Sequence, residues 1–223
     1  MKTLYLSGVA CLALGVGLTT AQGQTYSTLP EGAGPYLRAD IGPAFFEDGK
    51  ITQFGGPSSS SVKYKTGIAT DVAIGYAFNK YIATDFQVGL IGAEFKNTPG
   101  YYSSNTRLYN VPFLANITLT MPIPRSLVVP YIGVGAGGAE AVFDTDNFFN
   151  GTDGVVGSES DTVFAWQAFA GLRFKLNDHM SLGVGYKYFA TEDPTFSYPP
   201  DSFPVSIQGV MVHSVLFTFN LSF

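Results

Sequence analysis

The feature that most constrains this chain is a period-two alternation that recurs in eight segments. Each segment sets a bulky apolar row on one face against small or polar residues on the other. Residues two apart share a face in an extended strand, so the pattern predicts strands with two chemically different sides. The segments are 36–46, 66–78, 82–95, 107–121, 128–143, 162–176, 180–191 and 209–223. In the second, Ile68, Thr70, Val72, Ile74 and Tyr76 oppose Ala69, Asp71, Ala73 and Gly75. The third repeats the scheme, with Ile82, Thr84, Phe86, Val88 and Leu90 against Ala83, Asp85, Gln87 and Gly89. The sixth sets Phe164, Trp166, Leu172 and Phe174 against Gln167, Gly171, Arg173 and Lys175.

A water-soluble sandwich would point its bulky face inward and coat the outside with long charged side chains. Here the polar face is built from Gly, Ala, Ser, Thr and Asn, which fit a narrow lumen better than they solubilise a surface. Charged residues make up only 13% of the chain against 46% hydrophobic, with 19 Phe and 13 Tyr. The pattern is inverted relative to a soluble protein, as a transmembrane barrel requires. Backbone polar groups in hydrocarbon must pair internally, so an open eight-stranded sheet with two bare edges is excluded and closure follows. The expected fold is all-β, an eight-stranded antiparallel up-and-down transmembrane β-barrel.

The connections sort in the same way. Links at 79–80, 122–127 and 177–179 are short, whereas 47–65, 96–106, 144–161 and 192–208 are long and rich in Ser, Gly, Asp, Asn and Pro. Short periplasmic turns alternating with long external loops are a property of such barrels, and with eight strands both termini fall on the periplasmic side. Tyr76, Phe78, Tyr109, Trp166, Phe174, Tyr188 and Phe219 are expected to form interfacial girdles.

Residues 1–21 are read as a signal peptide, with Lys2 as the positive region, an apolar run from Leu4 to Leu18, and cleavage after Ala21. An uncleaved anchor helix is the alternative, although the run is shorter than the roughly 20 residues a span needs. Cys11 is the single cysteine, and Gly8 before it is a poor fit to a lipoprotein site. Cleavage after Ala21 would leave a cysteine-free domain at 22–223, without disulfides or thiolate chemistry.

The final segment ends Phe217, Thr218, Phe219, Asn220, Leu221, Ser222, Phe223, alternating to an uncharged terminal aromatic. With Pro130, Tyr131, Gly133, Gly135 and Gly137 in one strand and Gly183, Val184, Gly185 and Tyr186 in another, it is similar to the outer-membrane protein β-barrel family. That family includes the opacity porins and resembles the transmembrane domain of outer-membrane protein A. The resemblance implies a bacterial outer-membrane location and contact with lipid and lipopolysaccharide. It also implies that Phe217, Phe219, Leu221 and Phe223 form a signal for the outer-membrane assembly machinery. It does not imply an activity, since the family shares an architecture more than a task. No peptidoglycan-binding domain is expected after the barrel.

The inward set contains Arg38, Asp40, Asp71, Asp85, Gln87, Arg173 and Lys187. Charges shielded from water need partners, and heights counted from the turns pair Asp85 with Arg173 and Asp71 with Lys187. An eight-stranded barrel is just wide enough for side chains to fill. A plugged structural core is therefore expected, with a narrow gated path for water, ions or small solutes as the alternative. The run from Asp144 to Gly154 carries carboxylates that could hold Ca²⁺, but Phe148 and Asn150 break the ligand spacing and favour a solvated loop. Tyr101, Tyr102, Phe148 and Phe149 are expected at loop tips, where they could meet an external partner or lipid headgroups.

A net charge of −5 speaks against nucleic acid. Adjacent His213 and Ser214 fall on opposite faces of a strand and cannot form a nucleophile–base pair. The sequence lacks Gly-x-Ser-x-Gly, His-Glu-x-x-His and phosphate-loop motifs. The chain is read as a non-enzymatic barrel without cofactor, with a structural and surface-interaction role. A lipid-modifying enzyme is the remote alternative, kept open by His213.

Overall fold

A computed structural model describes residues 30–96, 100–198 and 203–223. The leader, its cleavage point and Cys11 lie outside them. Thirteen strands are formed by the described residues: β1 Gly34–Phe46, β2 Gly49–Phe54, β3 Gly56–Val62, β4 Gly67–Ala77, β5 Ile82–Glu94, β6 Tyr102–Ser104, β7 Arg107–Thr120, β8 Val128–Phe149, β9 Gly154–Lys175, β10 Met180–Thr191, β11 Thr195–Tyr198, β12 Phe203–Ile207 and β13 Met211–Ser222. Eight of these close a ring of antiparallel pairs in the order β1, β4, β5, β7, β8, β9, β10, β13. The seam is β1 against β13, from Tyr36 opposite Ser222 to Phe46 opposite Val212. Strand β6 lies outside the ring on β8.

The alternation places the outer face where the sequence predicts it. Val72 is 62% exposed while its neighbour Asp71 is 6% exposed. Ile74, Phe86, Ile117, Val134, Leu182 and Phe217 are exposed on the same outer surface, and Arg38, Asp40, Asp85 and Lys187 are buried inside. A soluble core has the opposite arrangement.

Six ring strands match their expected bounds within two residues at each end. The other two, β8 and β9, run 22 residues each. A tilted membrane strand needs only about 9–11 residues, so this hairpin projects well beyond the other strands. Its inward positions keep a period of two past the expected end, with Ala139, Ala141, Phe143 and Thr145 all buried.

Two of the long connections carry strands of their own. Segment 47–65 contains the β2–β3 hairpin and 192–208 contains β11 and β12. Together they make a four-stranded sheet in the order β11, β12, β2, β3. The cause is an apolar alternation too short to stand out in the sequence: Phe196 and Tyr198, and Val205 and Ile207, are buried pairs two residues apart. With Ile51, Phe54 and Val62 they pack against Phe143, Phe148, Phe189 and Val212, giving one continuous apolar cluster over the loop end of the barrel. Burial pushes the Tyr198 hydroxyl above its usual titration range. It donates to the Phe143 carbonyl at 2.8 Å, tying this sheet to the ring.

The exposed mid-strand position Val72 tests the sidedness directly. Val72→Arg is expected to lower stability in lipid vesicles by about 2–4 kcal/mol, as a cation in the bilayer midplane does. Denaturant unfolding of the refolded protein measures this, and a neutral effect would mean that this face meets water.

Candidate functional site

The interior of the ring is the region where chemistry-bearing side chains converge. Alternation along β1 aims Tyr36, Arg38 and Asp40 inward. Strands β4, β5, β7, β9, β10 and β13 add Asp71, Asp85 and Gln87, Asn116, Gln167, Lys187 and Thr218 at the middle of the lumen. Asp85 is the hub. It accepts from the Tyr36 hydroxyl at 2.6 Å, from Arg38 Nη1 at 2.9 Å and from Asn116 Nδ2 at 2.7 Å. Arg38 Nη2 spans Asp85 Oδ1 at 3.3 Å and Gln87 Oε1 at 3.2 Å. Gln167 Nε2 bridges Gln87 Oε1 at 2.8 Å and Asn116 Oδ1 at 2.7 Å.

Two further contacts complete the charge balance. Lys187 Nζ donates to Asp71 Oδ2 at 2.6 Å, the pair that the sequence predicts. Arg38 Nε lies 3.0 Å from Asp40 Oδ2, an attraction between charges whose N–H is not aimed along the contact. Asp40 also accepts from the Thr218 hydroxyl. Asp40 and Asp71 are direct cross-strand partners, and Arg38 and Lys187 each face one member of that acidic pair.

Arg173 departs from expectation. Equal height suggests Asp85 as its partner, but Arg38 occupies that carboxylate and Arg173 instead lies over the Tyr131 ring, 5.2 Å from its centroid. Counting residues from a turn gives height along the barrel but not azimuth. Arg38 projects across the lumen to reach Asp85, which is carried two strands away on β5. Tyr36, Asn116 and Gln167 are members of the network that the candidate list omits. The signal for them was present, since Tyr36 shares the parity of Arg38 and Asp40.

Glycine on the facing strands reflects how full this space is. A Cβ on Gly135 would sit 1.8 Å from Asn116 Oδ1, and one on Gly171 would sit 2.6 Å from the Tyr131 hydroxyl. Between Arg38, Asp40, Tyr131, Phe169 and Lys187 the remaining space is about 20 Å³, room for a single water. Toward the loop end the lining turns apolar, through Leu114 and Leu108 to Phe143, Phe189 and Phe148. The described residues therefore fill the lumen in two tiers, a charged network below and an aromatic mass above.

Phe148 is not at a loop tip. It is fully buried, stacked on Tyr101 at 4.7 Å and packed edge-on against Phe54 at 5.7 Å. Tyr102 is the exposed member of that group. The Asp144 to Gly154 run is the tip of the β8–β9 hairpin, where Asn150 Oδ1 accepts from the Thr152 and Asp153 amides. On the outer wall His213 does face outward, opposite the buried Ser214, and is held between Tyr186 at 2.5 Å and Glu47 at 2.7 Å. Phe217, Phe219 and Phe223 are exposed on the outer face and Leu221 is half-buried, in a strand hydrogen-bonded on both sides.

A family model described as outer membrane protein beta-barrel domain matches residues 9–223. Uncharacterised proteins of Brucella suis and Brucella melitensis are each 27% identical over 199 residues, covering 71% of this chain and 68% of their own length. Among solved structures, Neisserial surface protein A is 19% identical with a TM-score of 0.52, over 86% of this chain and all of that one. The outer membrane protein OprG of Pseudomonas aeruginosa is 13% identical with a TM-score of 0.56, over 87% and 99%. At these identities the likeness concerns the fold.

Removing one member of a buried pair strands the other. Asp85→Ala, which leaves Arg38 without its bidentate acceptor, is expected to cost about 3–5 kcal/mol. The double change Asp71→Leu with Lys187→Met removes both charges of a pair and should cost distinctly less, because Arg38, Asp40 and Asp85 keep one another. Unfolding titrations of the two variants and the unaltered protein in vesicles measure the difference.

Proposed function

This chain belongs to the outer membrane β-barrel family, and on that premise we propose that it is a non-conducting barrel of the bacterial outer membrane with a structural and surface-interaction role. The observation that carries the reading is the doubly filled lumen. A solute passing along the axis would have to break the Asp85 network and then part Phe143, Phe148 and Phe189. Charges buried in such a network are held by several donors each, and separating them without replacement is costly.

In this reading the termini and short turns lie in the periplasm, and the β8–β9 hairpin and the four-stranded sheet stand outside the cell. The outer apolar belt contacts lipid, and the upper rim meets lipopolysaccharide. The external end is a folded platform in which β2, β3, β11 and β12 are anchored through Ile51, Phe196, Val205 and Ile207. A preformed surface of this kind suits recognition of an external ligand, because little ordering entropy is lost on binding. The barrel is taken to act without cofactor or catalysis: His213 and Ser214 diverge, and His213 is engaged by Tyr186 and Glu47. The last strand, with Phe217, Phe219, Leu221 and Phe223, is the segment offered to the assembly machinery.

Two experiments bear on this. Refolded protein in planar bilayers is expected to give no steady conductance. Steady openings whose size changes in Asp85→Ala would replace the plugged barrel with a small channel. Deleting Phe223 is expected to reduce the folded, heat-modifiable form recovered in outer membranes several-fold while leaving synthesis unchanged, and an unaltered yield would remove the terminal aromatic from the assembly signal.

A further inference from the structure

We propose that the turn end of the barrel holds a binding site for a small oxyanion, a phosphate or a carboxylate, anchored by Arg173. A cavity of about 310 Å³ opens there below the charged network, with Tyr36 and Arg173 among its walls. That is the lower end of the size range of small-molecule pockets.

Arg173 differs from the other inward cations. Arg38 is engaged by Asp85 and Asp40, and Lys187 by Asp71. Among the described residues no carboxylate forms an ion pair with Arg173, and its Nε is sealed from solvent without a hydrogen-bond acceptor. Its contact is with the Tyr131 ring, 5.2 Å from the guanidinium carbon. A guanidinium carries five N–H donors and no acceptor. The Nε–H is withdrawn from water without an acceptor, which is unfavourable. An arginine in that state, on the wall of an open cavity, is the arrangement that an oxyanion completes. A ring contact supplies no oxygen acceptor, so the group keeps its capacity for paired N–H···O contacts of the bidentate kind that carboxylates and phosphates form.

Lys175, Asp178 and His179 line the same cavity. At the rim Lys80 is already held by Glu31 at 2.8 Å, and the Lys80 ammonium keeps the Glu31 carboxyl below its usual titration range. The backbone closes the cavity on the membrane side, so the ligand is a soluble solute entering from the turn end and not a lipid headgroup.

The test uses full-length mature protein refolded in detergent micelles, with the arginine Nε–H resonances assigned. Inorganic phosphate and acetate are titrated separately at constant ionic strength. At least one is expected to move the Arg173 signal along a saturating curve, while Arg107, paired with Glu94 at 3.4 Å at the other end of the barrel, shows only a linear drift. Arg173→Gln should weaken binding at least about tenfold, the loss expected for charge-assisted hydrogen bonds, and Arg173→Lys should retain part of it. The site is refuted if neither anion saturates the Arg173 signal in the unaltered protein. It is equally refuted if folded Arg173→Gln binds as tightly as before. Should Arg173→Gln fail to fold, the titration of the unaltered protein decides alone.

Discussion

Everything in this molecule depends on the ladder between its first and last ring strands. Backbone amides and carbonyls have no water to turn to in hydrocarbon. The pairing of β1 with β13 is what leaves the ring without a bare edge. It also fixes the side-chain parity of the whole wall, since one residue of slip at the seam would send Arg38 and Asp40 into lipid and Leu37 and Ile41 into the lumen. The outward apolar row and the inward polar row are therefore two consequences of one closed hydrogen-bond register.

Closure then creates the second problem, an interior too narrow to stay solvated and too polar to be left unpaired. The described residues meet it by two different means along the axis. At mid-height Asp85, Arg38, Gln87, Asn116 and Gln167 hydrogen-bond to one another. Above them the walls contribute few polar groups, Asn110 and the Thr106–Thr145 hydroxyl pair among them, and Phe143, Phe148 and Phe189 fill the space with ordinary apolar packing. The upper tier resembles the core of a soluble protein, because strands that have left the bilayer bury their apolar residues inward once more.

That change of environment explains what the sequence disclosed and what it hid. Eight strands, their faces and the buried charges were legible because alternation over ten or more residues is a strong signal, as in Ile68 to Tyr76 or Ile82 to Leu90. The Asp71–Lys187 pair was legible because both residues lie an equal count from short turns. Arg38–Asp85 was not, since side-chain reach across a lumen depends on azimuth. The four-stranded sheet escaped notice because its runs are four to seven residues long and sit among Ser, Gly and Pro. Their apolar positions acquire meaning only when segments about 150 residues apart, such as Ile51 and Ile207, are brought side by side.

The projecting β8–β9 hairpin limits where its own sequence can change. Its residues alternate between the aromatic mass and open solvent: Val155 is 4% exposed and Val156 is 69% exposed. Substitution is resisted at the buried Phe143, Phe148 and Val155 and is tolerated at the exposed Asp146, Asn147, Val156 and Ser158. The protrusion can therefore change the face it presents while the side chains that hold it upright stay the same.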